Sequence, residues 1–429
     1  MTADTIYALS SGAPPAAIAV VRISGPAADE ALRRLAGRLP EPRRASLAAL
    51  RDPESGDLID RALVLRFPGP GSATGEDTAE LHLHGGRSVV AAVRGALSRI
   101  GGLREAEPGE FTRRAFDSGR IDLAEAEGLA DLLAAETDSQ RRSALALAGG
   151  GLSRLVDGWR QRLLGLAARL EATLDFSDEG EVGDALTAGW TDDVRALAQE
   201  IAAFLRRPPA ERLRDGLRVV IAGPPNSGKS SLLNHLAGRE AAITSAVAGT
   251  TRDVVEAPTA IAGTPFVLTD TAGLRESGDE VEAIGIERAR STLAAADIVL
   301  WLGDPAECPD PGRSIIVQSK ADLSGFAADP RAKVAVSAVT GIGIDVLVEQ
   351  LIARARDLVP AEGEVTANAR HRAALADALL ALSQAAGEHD FLIAAELLRA
   401  GRVAMDRVTG RAGVEDMLDA LFGRFCIGK

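Results

Sequence analysis

The chain has 429 residues, 46% hydrophobic and 25% charged, with a formal net charge of −13. That length allows about two to four globular domains, while the acidic balance excludes a global electrostatic grip on nucleic acid, so any RNA contact must use a local basic patch. Two cysteines, Cys308 and Cys426, exclude a disulfide framework. Met1 to Tyr7 shows no basic-then-apolar leader and no apolar run is long enough for a bilayer, so the cytoplasm is the expected compartment, with no membrane partner.

Residues 1–118 read as mixed α/β. Ala17–Ile23 is a strand ending at Ser24-Gly25-Pro26, and Pro26 to Arg38 is helical in composition. Arg61–Phe67 is a second strand, and Glu80–His84 alternates like a third. A helix over Ser88–Ile100 follows. His82 and His84 share a strand face and could ligate a metal. No third ligand stands at a suitable spacing, so packing or hydrogen-bonding roles are expected.

Residues 119–215 turn helical. Ile121–Leu133 sets apolar residues at helical spacing, a long helix runs through Leu163, Leu166, Leu170 and Leu174, and a third covers Thr191–Leu205. The acidic cluster Asp178, Glu179 and Glu181 reads as a solvated loop rather than a cation site. Residues 216–356 alternate strand and helix, the pattern of a mostly parallel sheet. Residues 357–429 are helical again, with Ala374–Ala386 and Phe391–Arg399 rich in Ala and Leu. An α/β domain thus interrupts one helical region, whose two parts are expected to pack together.

The middle domain carries the chemistry. Leu217–Ala222 is a short β-branched run, Gly223-Pro224-Pro225-Asn226-Ser227-Gly228-Lys229-Ser230 a glycine-rich turn, and Ser231–Leu236 a helical continuation. Strand, turn and helix make a P-loop, whose backbone N–H groups and helix dipole cradle a polyphosphate. Asn226, Ser227, Gly228, Lys229, Ser230 and Ser231 line it, with Lys229 for the β/γ-phosphates and Ser230 for Mg²⁺. Further stretches follow in the order a GTPase needs. Gly249-Thr250-Thr251 supplies a second Mg²⁺ ligand, for which Thr251 is the candidate. Asp270-Thr271-Ala272-Gly273 ends a strand, with Asp270 for the Mg²⁺ shell and Gly273 for the γ-phosphate. Lys320 and Asp322 read the base, and Ser337-Ala338 closes over it. The base motif is ordinarily Asn-Lys-x-Asp and here begins with Ser319. Asp322 still selects guanine through N1–H and N2, so GTP is expected over ATP with some loss of affinity. The fold class is multidomain α/β plus all-α, a Ras-like P-loop G domain set into a helical domain.

Asn226, Asp270–Leu274, Val281–Ala289 and the terminal Phe425-Cys426-Ile427-Gly428-Lys429 closely resemble the MnmE (TrmE) family of tRNA modification GTPases. Thr74–Asp77, His84–Gly86, Pro108–Phe116 and Asn368–His371 resemble it too, so the likeness spans essentially the whole chain. Leu274 stands where Ras-like enzymes place a water-orienting Gln, and the resemblance gives that role to Glu282, catalytic beside Lys229. It implies nucleotide contacts along Ser245-Ala246-Val247-Ala248. It also implies a K⁺ ion held by the Asn226 side chain and by backbone oxygens of Ser245, Val247 and Thr250 when two G domains meet.

The resemblance further makes residues 1–118 a dimerising domain that binds 5-formyl- or methylene-tetrahydrofolate through Arg22, Glu80, Arg120 and Lys429. Arg120 replaces a more usual Lys, and Cys426 is either reactive or plainly structural. The implied activity is that of a homodimeric GTP hydrolase. With the FAD-dependent partner MnmG (GidA), as a heterotetramer, it would install an aminomethyl-type group at C5 of the tRNA wobble uridine. Two other readings stay open: a ribosome-assembly GTPase switch that binds rRNA, and a folate enzyme with a degenerate G domain. A missing basic RNA module argues against the first, and intact Lys229, Ser230, Thr251 and Asp270 against the second.

Overall fold

The computed structural model describes residues 4–175, 189–238, 256–270, 290–361, 363–412, 415–423 and 425–429. The chain divides into two compact units, residues 1–130 with 406–429, and residues 131–405.

The first unit contains β1 (Thr5–Leu9), β2 (Ile18–Ser24), α1 (Ala28–Ala36), β3 (Ser46–Arg51), β4 (Leu58–Phe67), β5 (Thr78–His84), α2 (Arg87–Ser98), β6 (Leu103–Glu105) and α3 (Glu110–Asp117). Its strands run in the order β3-β4-β5-β2-β1-β6. Every pairing is antiparallel except β1 with β6. Alternation decides which face is covered. Val21, Ile23, Leu81 and Leu83 point inward and meet Leu32 and Leu35 of α1 and Val93 and Leu97 of α2. Arg22, between Val21 and Ile23, and Glu80, just before Leu81, stand directly opposite one another on β2 and β5. Residues 425–429 belong to this unit. Ile427 bridges Pro108, and the Ser10 hydroxyl donates to the Gly428 carbonyl at 2.7 Å. A Cβ on Gly428 would stand 2.2 Å from the Leu9 carbonyl oxygen, so the tail fits as glycine alone.

After α4 (Leu123–Ala134) come α5 (Asp138–Ala148), α6 (Gly151–Asp175), α7 (Trp190–Leu205) and the short α8 (Glu211–Arg214). In α6 the buried hydrophobic residues are Leu152, Val156, Trp159, Leu163, Leu166 and Leu170, a four-three repeat that makes one apolar stripe. Trp159 meets Phe204 of α7 edge-on at 5.6 Å, and the Trp190 indole donates to the Leu166 carbonyl at 3.0 Å.

The second sheet uses β7 (Leu217–Ala222), α9 (Lys229–Ala237), β8 (Glu256–Ile261), β9 (Thr264–Asp270), β10 (Ile298–Trp301), β11 (Ser314–Gln318), β12 (Val334–Ala335) and α10 (Ile344–Arg356). The order is β12-β11-β10-β7-β9-β8, parallel except for the edge strand β8. The first strand, β7, lies between β9 and β10, so the order reverses there, and ligands of such sheets bind at that reversal beyond the carboxyl ends.

The helical region then resumes as α11 (Ala369–Ala385) and α12 (Phe391–Thr409), and α13 (Glu415–Phe422) follows. Helix α11 packs along α7, so the segments flanking the inserted sheet meet as expected. Helix α12 continues ten residues past the Ala- and Leu-rich run that stops at Arg399, through Gly401. A Cβ on Gly401 would already sit 3.4 Å from Leu163, so the glycine allows close helix packing rather than ending the helix. No helix among the described residues is long and apolar enough to cross a membrane. The acidic cluster Asp178, Glu179 and Glu181 lies outside the described residues.

Candidate functional site

The loop between β7 and α9 is shaped by residues that tolerate left-handed backbone. Gly223 has φ 148°, Asn226 φ 59° and Gly228 φ 92°. A Cβ on Gly223 would lie 2.9 Å from the Leu302 backbone, so the loop must start with glycine. Gly228 caps α9, and the first N–H groups of that helix have no partner within it. Those donors and the positive helix end face outward at Lys229, Ser230 and Ser231, as an anion cradle requires. Lys229 is buried, and its ammonium donates to the Pro224 carbonyl at 2.8 Å, bridging the loop it belongs to.

Parallel strands bring the other candidates to the same edge. Asp270 ends β9, and its carboxylate accepts from the Ser230 hydroxyl at 2.5 Å. A hydroxyl and a carboxylate converging beside a phosphate cradle form a hard-oxygen pair that suits Mg²⁺. Ser319 follows β11 and donates to the Ser227 carbonyl at 2.6 Å, tying base loop to phosphate loop. Lys320 takes φ 62° with its side chain exposed, and Asp322 is exposed. The Ala321 N–H donates to the Val336 carbonyl at 3.0 Å, joining the two base loops.

Ser337 is fully buried. Its hydroxyl accepts from the Val339 and Thr340 N–H groups at 3.2 and 3.1 Å, so it organises its own turn. His235, on the helix that begins with Lys229, lies 2.9 Å through Nδ1 from the Ala338 carbonyl, which it meets as a donor. Neither His235 nor the Ser319 clamp carries a short sequence signature, because each is defined by a partner about a hundred residues away. Thr251 and the run Ser245-Ala246-Val247-Ala248-Gly249-Thr250 lie outside the described residues, as do Thr271, Ala272, Gly273, Leu274 and Glu282.

In the first unit, Arg22 and Glu80 are each other's partners. Arg22 donates through Nε and Nη2 to Glu80 Oε1 at 3.0 and 2.8 Å, and its guanidinium lies 5.9 Å from the Phe111 ring centre. Glu80 Oε2 also meets His82 Nε2 at 3.2 Å. Burial pushes the Glu80 carboxyl up, but the Arg22 bond and charge with His82 outweigh it and hold it below its usual range. His84 Nδ1 stands 2.7 Å from Asp60. Both histidines therefore hydrogen-bond to carboxylates, and no metal-type cluster of His, Cys, Asp and Glu occurs among the described residues. Arg120 is exposed in the turn after α3, where its N–H donates to Ala115. Lys429 is half-buried at the end of the tail.

A network missed in the sequence lies nearby. Arg114 is almost wholly buried and donates to Asp4, Glu76 and Glu110, while Arg104 holds Asp4 and Glu110. The Arg114–Glu76 pair at 3.1 Å ties Pro108–Phe116 to Thr74–Asp77, and Ser24 donates to the same Glu76 at 2.8 Å.

Comparison with known proteins covers the whole chain. Residues 5–120 match the family model described as GTP-binding protein TrmE N-terminus, and residues 123–426 match the MnmE helical domain. The tRNA modification GTPase MnmE of Rhizorhabdus wittichii is 60% identical over 429 residues, covering 99% of this chain and 97% of that one. The tRNA modification GTPase MnmE of Erythrobacter litoralis is 59% identical over 427 residues, covering 99% and 100%. Among solved structures, the G domain of the T. maritima FeoB iron transporter matches 32% of this chain and 98% of its own at 24% identity, with a TM-score of 0.24, too low to bear on the fold. Identity at this level along the full length, with both family models matching in order, means that the chain belongs to the MnmE family of tRNA modification GTPases.

Proposed function

We propose that this chain hydrolyses GTP in the service of tRNA modification, working as a homodimer with the FAD-dependent partner MnmG on C5 of the wobble uridine. The observation that carries the reading is the convergence of Lys229, Ser230, Asp270, Ser319 and Ser337 beyond one sheet edge, around a cradle built for a polyphosphate. The names of its relatives support the tRNA-linked part. An rRNA-binding assembly switch has no comparable support.

In this reading the α9 N-terminus and Lys229 would bind the phosphates, and Ser230 and Thr251 would hold Mg²⁺, with Asp270 holding its shell through water. Mg²⁺ supplies charge neutralisation at the β/γ-phosphates when bound. Asp322 takes the guanine N1 and N2 donors, the Lys320 stem lies along the base, and Ala338 closes over it. Glu282 orients or polarises the attacking water, through a second water. Asn226 is exposed on a left-handed backbone, and its side-chain oxygen suits K⁺ together with backbone oxygens of Ser245, Val247 and Thr250. Arg22, Glu80, Arg120 and Lys429 bind the folate that supplies the one-carbon unit; basic side chains suit its glutamate carboxylate, and the Glu80 carboxylate suits its pterin donors.

GTP hydrolysis measured in K⁺ and again in Na⁺ tests the cation, and equal slow rates would remove it. Glu282→Ala should abolish turnover while leaving GTP binding near intact; a parallel loss of binding would make Glu282 structural. Titration with 5-formyl-tetrahydrofolate tests the first unit. Mass spectrometry of wobble uridines in tRNA from a strain lacking the gene tests the whole assignment.

A further inference from the structure

Ser319 opens the base-reading stretch. Its hydroxyl donates to the Ser227 carbonyl at 2.6 Å, and its Cβ stands 3.8 Å from where a Cβ on Gly228 would be. A hydroxyl has one proton, and here that proton is committed to the phosphate loop. Only acceptor lone pairs remain on Oγ. Guanine N7 is also an acceptor. Two acceptors facing each other make no hydrogen bond. An asparagine amide, with two N–H donors, could serve the loop carbonyl and N7 together.

We infer that Ser319 is a positioning residue that clamps the phosphate loop to the end of β11 and leaves the N7 edge of the guanine unread. Asp322 takes the N1/N2 edge, so N7 lies on the far side of the purine, and selectivity in this chain rests on N1 and N2 alone. The inference rests on the guanine seat proposed above. It extends the accepted ligands to guanine nucleotides that carry carbon at position 7.

The test titrates the full chain with GDP, 7-deaza-GDP and ADP, which avoids turnover. 7-Deaza-GDP should bind within about twofold of GDP, and ADP far more weakly. Ser319→Asn should tighten GDP by about threefold to tenfold and leave 7-deaza-GDP unchanged, a split that a purely structural role would not produce. Ser319→Ala should weaken both guanine nucleotides by the same factor. A native chain that binds 7-deaza-GDP more than about fivefold weaker than GDP overturns the inference. ADP binding as tightly as GDP overturns the guanine seat beneath it instead.

Discussion

Lys229 is the side chain whose loss should be felt most directly at the nucleotide. It is buried, and its ammonium donates to the Pro224 carbonyl within the loop that would hold the phosphates. Lys229→Ala should weaken GTP binding by about tenfold to a hundredfold, the range for losing a charge-assisted hydrogen bond, as read by titration. Asn226 and Lys229 were legible from their motif alone, because loop backbone and helix terminus are local properties. The Arg22–Glu80 pair was legible only as two separate candidates. Their contact spans 58 positions and depends on the register of β2 against β5.

Elements add constraints that no single side chain carries. Helix α5 begins with a capping box: Thr137 accepts from the Gln140 N–H, and Gln140 Oε1 accepts from the Thr137 N–H. The same Gln140 donates to the Arg214 carbonyl at 2.9 Å, and Ser139 donates to the Gly263 carbonyl at 2.7 Å in the β8–β9 turn. Helix α5 therefore grips the start of the strand that ends in Asp270. Thr137→Ala should lower stability by about 1 kcal/mol in chemical denaturation. Helix α3 starts at Gly109, with φ 69°, where a Cβ would lie 2.2 Å from the Phe422 carbonyl oxygen. Gly109→Ala should cost more than the roughly 1–2 kcal/mol of a left-handed backbone, because the steric clash adds to it. Circular dichroism on heating would register that loss.

At the scale of the whole molecule, the two units should respond to different variables. Trp159, Trp190 and Trp301 are the chain's three tryptophans, and all lie in the second unit. Their fluorescence on heating should report a transition that rises with GTP and Mg²⁺, by about 2.7 kcal/mol at a hundredfold excess over Kd. The first unit should respond to acid. Burial raises the Glu110 carboxyl, but bonds from Arg104, the Glu107 N–H and Arg114 outweigh it and hold it low. Asp4 is likewise raised by burial and lowered further by Arg104 and Arg114. A carboxyl lowered in the folded state is protonated more readily in the unfolded chain. Its stabilisation is therefore complete above the unfolded value, 4.5 for Glu110, and is lost as pH falls through the folded one. Circular dichroism of the first unit should show stability falling below about pH 4.5, with Glu110→Gln flattening that dependence.

Read alone, the sequence determined the phosphate loop, the order of the nucleotide motifs, the helical stripes and the interrupted helical region. Each of these rests on spacing along the chain, at period 3.6 or within a few residues of a turn. Strand β1 escaped the reading because four of its five residues are buried, which removes the alternation that marks a strand. Only the tertiary structure decided that residues 425–429 join the first unit at Leu9 and Pro108, that Arg114 is buried among three carboxylates, and that Ser319 gives its proton to Ser227. Those outcomes depend on which distant backbone oxygens and charges the sheets bring within about 3 Å, a distance over which sequence separation has no meaning.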